Sequence, residues 1–327
     1  MKPTWTELLA ALRAGTASRG DLYGLSNLSR SQAELAHAAY HDLPVEARRR
    51  IVRTLVEIAE HDFEVNFGET FRLALQDADD DVRQMAIEGL WEDEDVRLVA
   101  PLVERLLEDS AAGVRAAAAA SLGRFVLLGE LGKVRERPYR QALDALLTAG
   151  ARADETVEVR RRTVEALAYS GEETVAERIR AAYHDPDEQM RVSAVFAMGR
   201  NGDERWAAEV MRELNSPNPA MRYEATRACG ELALADAVPA LIELVDDVDA
   251  EVQEAAIWSL GQIGGDEARQ VLLACSRSTS EALRQSAHEA LRELEFLHGD
   301  IGAALFDLFD DEFDEEDEAE DEEEETW

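Results

Sequence analysis

A short segment recurs along this chain and constrains its fold more than any other feature. Its clearest copy runs Asp249-Ala-Glu-Val-Gln-Glu-Ala-Ala-Ile-Trp-Ser-Leu-Gly-Gln-Ile-Gly264. Counted from Val252, apolar or small residues fall at offsets 0, 4, 5 and 8, which form one face of a helix. Asp249, three residues before Val252, is a candidate N-cap. The segment therefore predicts an amphipathic helix with a defined start.

Eight copies of this segment share one frame. Their first positions are Ala47, Val82, Val114, Val159, Met190, Met221, Val252 and Leu283, and the last five are spaced by 31 residues. Offset +1 is arginine in every copy except the one with Gln253. Small residues prevail at +4, which lets a neighbouring helix approach closely, and larger apolar residues at +8 fill a core. Glycine at +9 in four copies predicts that the helix loosens or ends there: Gly123, Gly199, Gly230 and Gly261.

A second apolar-periodic segment lies between successive copies, as in 237–245. Two helices of about 12 residues and two turns fill a unit of this length, so each copy is predicted to be a helical hairpin. One hairpin cannot bury its own apolar faces, whereas stacked hairpins can. We therefore predict an all-α protein, a right-handed α-solenoid of about eight hairpins.

The repeated pattern resembles the HEAT-like repeats of the phycobilisome-lyase type. In those repeats an Asp precedes Val-Arg, followed by Ala-Ala, Ala-Leu-Gly and Ile-Gly. The copy 249–264 matches apart from Gln253, where Arg is usual, and the resemblance covers residues 44–298. It implies HEAT-like hairpins as the fold. It implies no single function, because such repeats are shared by lyase subunits and adaptors.

Three regions are predicted along the chain. Residues 1–43 do not follow the repeat frame, and candidate capping boxes at Thr4–Glu7 and Ser31–Glu34 predict two helices that form an N-terminal cap. Residues 44–298 are predicted to form the solenoid, and 299–327 an acidic tail that is disordered. Within the solenoid, the surplus residues around 125–133 predict either an extended helix or a protruding loop.

The charge of the chain restricts its partners. It has 34 basic and 70 acidic residues, a net charge of −36. Sixteen acids and no base lie in 300–327, so the remaining residues hold 54 acids against 34 bases, a net charge of −20. This is a poor match for nucleic acid, where Lys and Arg supply most of the affinity. We expect protein partners, with basic proteins favoured, and no nucleic acid.

The cysteines and the hydropathy pattern suggest a compartment. Cys229 and Cys275 are the only cysteines, which gives neither a disulfide framework nor a zinc cluster. The N-terminal residues lack a basic region followed by an apolar one, and no run approaches the ~18 apolar residues of a membrane span. We expect a cytoplasmic monomer that does not bind membranes.

Offset +6 of the repeat is the candidate partner-binding position. It lies off the apolar stripe and is expected near the concave side of the hairpins. Three consecutive copies place an aromatic or arginine residue there, and two residues at offset +2 are expected one turn below on the same face. Aromatic residues beside an arginine are typical of binding hot spots, although they are also compatible with ordinary packing. The predicted surface consists of Val192, Phe196, Tyr223, Arg227 and Trp258.

Two further charged segments are candidate docking elements. Residues 133–162 carry eight bases and five acids and end in Arg160, Arg161 and Arg162. This cluster either belongs to a ladder of +1 arginines that bond turn residues at offset −3, or docks an anionic ligand or the acidic tail. The turn residues predicted for the ladder are Asp79, Asp187, Asn218 and Asp249. Phe306, Phe309 and Phe313 alternate with acids, a composition seen in docking motifs of disordered tails, unless they merely cap the last repeat.

No catalytic residue, metal or cofactor is predicted. His37 and His41 are spaced to share a helix face, but two imidazoles without further ligands do not define a metal site. Deoxyhypusine hydroxylase, also built from HEAT-like repeats, uses His-Glu pairs as iron ligands, and the only such pair here is His288-Glu289. The sequence favours a non-catalytic protein-interaction scaffold or adaptor with a concave helical surface. The alternative is an enzyme or enzyme subunit of the bilin lyase type.

Overall fold

The computed structural model describes residues 4–298, and every regular element within that range is a helix. The chain divides into two compact units, one up to Ala194 and one from Val195. The three regions predicted from the sequence, with boundaries at 43/44 and 298/299, do not coincide with this division and stay a prediction.

The first unit begins with three helices and continues with helices that differ in length. Their bounds are α1 Trp5–Ala14, α2 Arg19–Leu22, α3 Arg30–Tyr40, α4 Val45–His61, α5 Gly68–Ala74, α6 Asp80–Glu88, α7 Val99–Glu108, α8 Ala112–Glu130, α9 Glu136–Gly150, α10 Val157–Leu167 and α11 Glu173–Tyr183. Helix α12, Glu188–Asn201, crosses the division between the units. The second unit continues with α13 Ala207–Glu213, α14 Pro219–Glu231, α15 Val238–Leu244, α16 Ala250–Ile263, α17 Asp266–Cys275 and α18 Glu281–His298.

The eight phased segments all lie on even-numbered helices, from α4 to α18. Each is preceded by an odd-numbered helix, which makes eight helical pairs from α3 to α18 in the described range. In the first unit α4, α6, α8 and α10 pack against one another in sequence order, and α14, α16 and α18 do so in the second. The predicted all-α stack of hairpins is confirmed.

The core of each unit follows the predicted offsets. All eight residues at offset +4, from Ile51 to Ala287, are buried. At +8 the first seven residues are buried, and only Leu291 in the last copy is half-buried. The first and last copies are also half-buried at offset 0, at Ala47 and Leu283. The repeat frame therefore identifies core positions best where a copy has neighbours on both sides.

Three of the four +9 glycines lie one or two residues before the end of their helices, as the sequence predicted: α12 ends at Asn201, α14 at Glu231 and α16 at Ile263. Helix α8 is the exception and continues seven residues beyond Gly123. A Cβ atom on Gly123 would lie 2.9 Å from the Cα atom of Ala166 on α10. Cβ atoms on Gly199, Gly230 and Gly261 would come equally close to backbone atoms of the next even-numbered helix. These glycines allow the close approach of stacked helices.

The surplus residues near 125–133 extend a helix, which was one of the two predicted outcomes. Helix α8 runs to Glu130 and packs against α6, α7, α9 and α10. It is the one helix among residues 4–298 that is long and apolar enough to span a membrane, and half of its apolar stretch is buried within the protein. A helix in a protein core can have the same length and composition.

The N-terminal region has one more helix than predicted. The Thr4–Glu7 capping box is present at the start of α1. The second predicted box is wrong, because Ser29 and Gln32 cap α3 instead of Ser31 and Glu34. A further box, Ser18 with Asp21, starts the short helix α2 inside the predicted linker.

The +1 arginines form a ladder along each unit, but in a different register from the predicted one. Each of five arginines reaches a carboxylate at offset −5 or −4 of the next copy, not at −3. The pairs are Arg48–Asp77, Arg83–Asp109, Arg115–Glu155, Arg160–Asp185 and Arg222–Asp247. Burial raises the pKa of Asp109, but hydrogen bonds from Arg83 and the Ala111 N–H outweigh it and lower that pKa overall.

The residues at offset −3 act mainly as helix caps. Asp187 accepts a hydrogen bond from the Met190 N–H, and Asp249 accepts bonds from the Glu251 and Val252 N–H groups. Asp79 caps Val82 and also pairs with Arg49, which stands at offset +2 rather than +1. The N-cap prediction for Asp249 is thus confirmed, and the ladder prediction for offset −3 is wrong. The capping oxygens are already engaged by the turn that each residue starts.

Candidate functional site

The three residues predicted at offset +6 lie on successive even-numbered helices of the second unit. Phe196 is on α12, Arg227 on α14 and Trp258 on α16. All three side chains are half-buried, and so is Tyr223 one turn before Arg227. Neither the Phe196 ring nor the Trp258 ring is fully enclosed, and a binding surface requires such partial exposure. The role of these residues in partner binding stays a prediction.

A chain of stacking and ionic contacts connects these residues. The Arg227 guanidinium lies 3.7 Å from the centre of the Trp258 ring. Arg227 is also 3.7 Å from Glu231, which pairs with Arg200 at 3.3 Å. Arg200 in turn lies over the Phe196 ring at 5.4 Å. Cation–π contact and ion pairing together fix the orientation of both rings.

Glu231 is the central acid of this chain of contacts. Burial raises the pKa of its carboxyl, and the charges of Arg200 and Arg227 partly offset that effect. Two arginines thus share one desolvated carboxylate. Since Arg200 and Arg227 already pair with that carboxylate, a ligand would contact the exposed part of Trp258 and the other acidic residues of the site.

A groove of about 710 Å³ lies beside Trp258, formed by α14, α16 and α18. Its walls carry two aromatic residues, two alanines, a serine and one arginine, together with four glutamates. The lining residues are Tyr223, Arg227, Glu251, Glu254, Ala255, Trp258, Ser286, Glu289, Ala290 and Glu293. The four glutamates are exposed, so the groove combines a half-buried aromatic floor with a negatively charged rim.

Sequence reasoning found the aromatic part of this groove but missed its charge. Glu289 and Glu293 follow one another at helical spacing on α18, and Arg200 and Glu231 stand at offset +10 of their copies. Offset +10 lies one turn beyond +6 on the same helix face. A comparison of offsets +6 and +10 together would have found these residues.

The repeat architecture matches a known family model. The model for HEAT repeats matches residues 69–149, 143–214 and 207–292, which is more than half of the chain. The chain belongs to the HEAT-repeat family. No curated protein matches this HEAT-repeat protein.

Several solved structures share the fold of this HEAT-repeat protein. The complex of CpcE and CpcF of phycocyanin lyase from Nostoc sp. PCC7120 matches with a TM-score of 0.52 and 19% identity, over 75% of this chain and 94% of that one. Yeast importin-beta (Kap95p) matches with a TM-score of 0.55 and 12% identity, over 91% and 47%. The Kap95:Nup1 complex matches with a TM-score of 0.53 and 13% identity, over 92% and 47%. At these identities the likeness shows the fold.

Val192 does not belong to an accessible surface, contrary to the prediction. It lies in the first unit, and its short apolar side chain is only 7% exposed. A partner cannot contact a side chain that its own unit covers. We therefore remove Val192 from the candidate surface and keep Phe196, Tyr223, Arg227 and Trp258.

The three consecutive arginines of α10 are paired within the first unit of the HEAT-repeat protein. Arg160 pairs with Asp185 at 3.0 Å, as a member of the ladder. Arg161 and Arg162 both reach Glu158 and Glu165, and Arg161 also donates to Ser193. These ion pairs favour the structural alternative that the sequence left open, and docking of an anion or of the tail stays a prediction. The other predicted docking motif, Phe306, Phe309 and Phe313, lies outside the described residues.

His37 lies on α3 and His41 is the C-cap of that helix, and their ring centres are 5.0 Å apart, so they share one face as predicted. No group of three or more potential ligands suited to a metal ion occurs among residues 4–298. The pKa of His37 is lowered by burial and by the nearby charges of His41 and Arg48, against the attraction of Asp77. His37 is therefore favoured in its neutral form.

This histidine predicts a pH dependence of stability. A histidine whose pKa is lower in the folded than in the unfolded protein takes up its proton more readily on unfolding. The folded state then loses stability as the pH falls below the unfolded value of ~6.5. We expect the denaturation midpoint to fall between neutral pH and pH ~5.5, and to fall less in His37→Gln. An equal fall in both proteins, measured by urea titration, would assign the effect to other groups.

Proposed function

We propose that this HEAT-repeat protein is a non-catalytic interaction scaffold that binds a basic segment of a partner protein in the groove of its second unit. The observation that carries this proposal is the Trp258 ring, stacked by Arg227 and lining a groove with four exposed glutamates. A ligand for this groove needs positive charge for the rim and apolar or planar groups for the floor.

The charge pattern favours Lys and Arg side chains as the ligands of the groove. Glu251, Glu254, Glu289 and Glu293 outnumber its single arginine. Arg227 also contacts Trp258 and Glu231, and its single charge offsets at most one of the four glutamates. Complementary charge increases association rates and excludes acidic competitors. The aromatic floor adds contact area of the kind that dominates binding hot spots.

Structures of similar fold support protein binding as the general role. CpcE is found in complex with CpcF, and Kap95 in complex with Nup1. The alternative of an enzyme subunit of the bilin lyase type has the first of these likenesses as its support, and that likeness extends to the fold alone. A visible absorbance band in the protein purified from its host would revive the alternative.

The scaffold proposal is tested with a fluorescent peptide of alternating lysine and arginine. The double variant Tyr223→Ala/Trp258→Ala is expected to weaken binding by about tenfold or more, because both aromatic rings that line the groove are removed. Binding is measured by fluorescence anisotropy at physiological salt. Circular dichroism melting curves of the variant establish that the fold is retained.

A variant that changes the charge of the rim tests the electrostatic part of binding separately from contacts with the aromatic rings. Glu254→Lys/Glu289→Lys reverses two exposed rim charges and should weaken binding further, and more so at low salt. Glu243→Lys/Asp246→Lys is the matched control, since both residues are exposed in the second unit and neither lines the groove. Equal losses in the rim and control variants would show that net charge, not the groove, binds the peptide.

A further inference from the structure

Two loops of the first unit expose large aromatic side chains. Phe63 lies just after α4 and is 85% exposed, and Trp91 lies just after α6 and is 60% exposed. Both line a groove of about 790 Å³. Val96, on the same segment as Trp91, is 44% exposed. Exposed apolar side chains gathered beside one groove with a polar rim are typical of interaction sites, whereas single exposed residues need no such explanation.

The loop that carries Trp91 is held in place by ionic contacts. Arg72 on α5 pairs with Asp93 at 2.5 Å, with Glu69 at 3.1 Å and with Asp95 at 3.4 Å. The Asp93 carboxylate also accepts a hydrogen bond from the Asp95 N–H. Trp91 is thus followed directly by a segment that is held against α5.

The loop that carries Phe63 is anchored as well. The Asn27 N–H donates to the Asn66 carbonyl at 2.7 Å, and the Asn66 N–H donates to Ser26 at 3.1 Å. The Asn66 side chain accepts a bond from the Gly68 N–H, at the start of α5. Both rings therefore stand on ordered turns, which lowers the entropy cost of binding.

The groove around these rings is strongly acidic. Seven acidic residues and two arginines line it. The arginines, Arg72 and Arg97, pair with Glu69, Asp93 and Asp95. Glu64, Glu92 and Glu94 are exposed and make no ion pair within residues 4–298. The free charge beside the two rings is therefore negative.

We propose that this groove docks a basic amphipathic segment of another protein, with apolar side chains on Phe63 and Trp91 and lysines or arginines on Glu64, Glu92 and Glu94. Charge complementarity selects this occupant. The chain's own residues 300–327 hold sixteen acids and no base, and a second copy carries a net charge of −36, so repulsion disfavours both. The groove lies wholly in the first unit and involves none of the residues of the proposed site in the second.

The probe is a fluorescent peptide that alternates lysine with leucine, compared with one that alternates lysine with glycine. The first peptide is expected to bind more tightly by about tenfold or more, because its leucines contact the two rings. Phe63→Ala/Trp91→Ala should abolish this difference while leaving the lysine–glycine peptide unchanged. Both side chains are exposed, so the variant retains the fold, which its melting curve checks.

Two further variants distinguish binding in this groove from binding elsewhere on the protein. Glu92→Lys/Glu94→Lys should weaken binding of both peptides to the first-unit groove. Tyr223→Ala/Trp258→Ala removes the aromatic residues of the other groove, and it should leave the leucine advantage that depends on Phe63 and Trp91 intact. Val248→Ala, which removes a 98% exposed apolar side chain, is the matched control for nonspecific binding to exposed apolar surface.

Hydrogen–deuterium exchange in the presence of the lysine–leucine peptide gives the location directly. Protection is expected in the segments 62–67 and 91–96. The proposal is overturned if the leucine advantage survives Phe63→Ala/Trp91→Ala, or if protection appears only elsewhere. A lost advantage in the Val248 variant would equally overturn it, since exposed apolar surface in general would then bind the peptide.

Discussion

Replacing Arg83 by alanine is expected to lower the free energy of unfolding by about 3 to 5 kcal/mol. Arg83 and Asp109 are 7% and 6% exposed, and two guanidinium nitrogens donate to the two carboxylate oxygens at 2.7 Å. The same guanidinium donates to the carbonyls of residues 77 and 78. The variant leaves a buried carboxylate and two carbonyls without these donors. Urea denaturation followed by circular dichroism measures the loss.

The loss of unfolding free energy in Arg83→Ala can be compared with the losses expected for two other arginine variants. Arg30 pairs with Glu34 on the exposed face of α3, so Arg30→Ala should cost less than about 1 kcal/mol. Arg191 donates to the carbonyls of Asp185 and Pro186, so Arg191→Ala should cost about 1 to 3 kcal/mol. If Arg83→Ala proves no more harmful than Arg30→Ala, the ladder does not stabilise the stack.

Gly123→Ala is expected to destabilise the first unit by about 1 to 3 kcal/mol, although alanine favours helices over glycine by about 1 kcal/mol. The new Cβ would lie 2.9 Å from Cα and 3.0 Å from Cβ of Ala166. A backbone atom cannot move aside as a flexible side chain does, so α8 and α10 must separate. The change is measured as a shift of the denaturation midpoint.

Gly20→Ala is the control for this substitution. Gly20 also lies within a helix, α2, but the nearest atom to its added Cβ is the Ser18 hydroxyl at 3.8 Å. Without a clash, only the higher helix propensity of alanine remains, so the variant should be at least as stable as the parent protein. A similar loss in both variants would mean that helical glycines matter here for reasons other than helix spacing.

The fold was predictable because one apolar period repeats. Offsets +4 and +8 identified buried residues such as Ala118 and Leu122 without any knowledge of the tertiary contacts. Gly123 was misread as a helix end, because the sequence shows that it lacks a side chain but not that Ala166 lies against it. The ladder register was missed for the same reason: a turn brings offset −5 beside the previous arginine, and spacing alone does not reveal it.

The candidate site was predictable only in part. Trp258 and Arg227 were found because they break the pattern of Glu and Ala at offset +6. The acids of the groove were not, because 70 acidic residues in one chain hide the few that share a cavity. Trp91 stands at offset +9, where four other copies have glycine, but the sequence does not show that its ring is exposed. Phe63 lies in a turn beyond the end of its copy, where no periodic argument applies.

The last hairpin of the second unit lacks a rung of the ladder. Gln253 replaces the arginine and donates only to the Asp247 carbonyl, and serine stands at 278 where most other copies have an acid. A stack of repeats opens from its weakest end, so α17 and α18 are the first helices to detach. Glu289 and Glu293 lie on α18 and form one wall of the groove. Binding in the groove and folding of α17 and α18 are therefore thermodynamically linked. A bound segment raises the melting temperature of these two helices, and its release allows α18 to unfold locally.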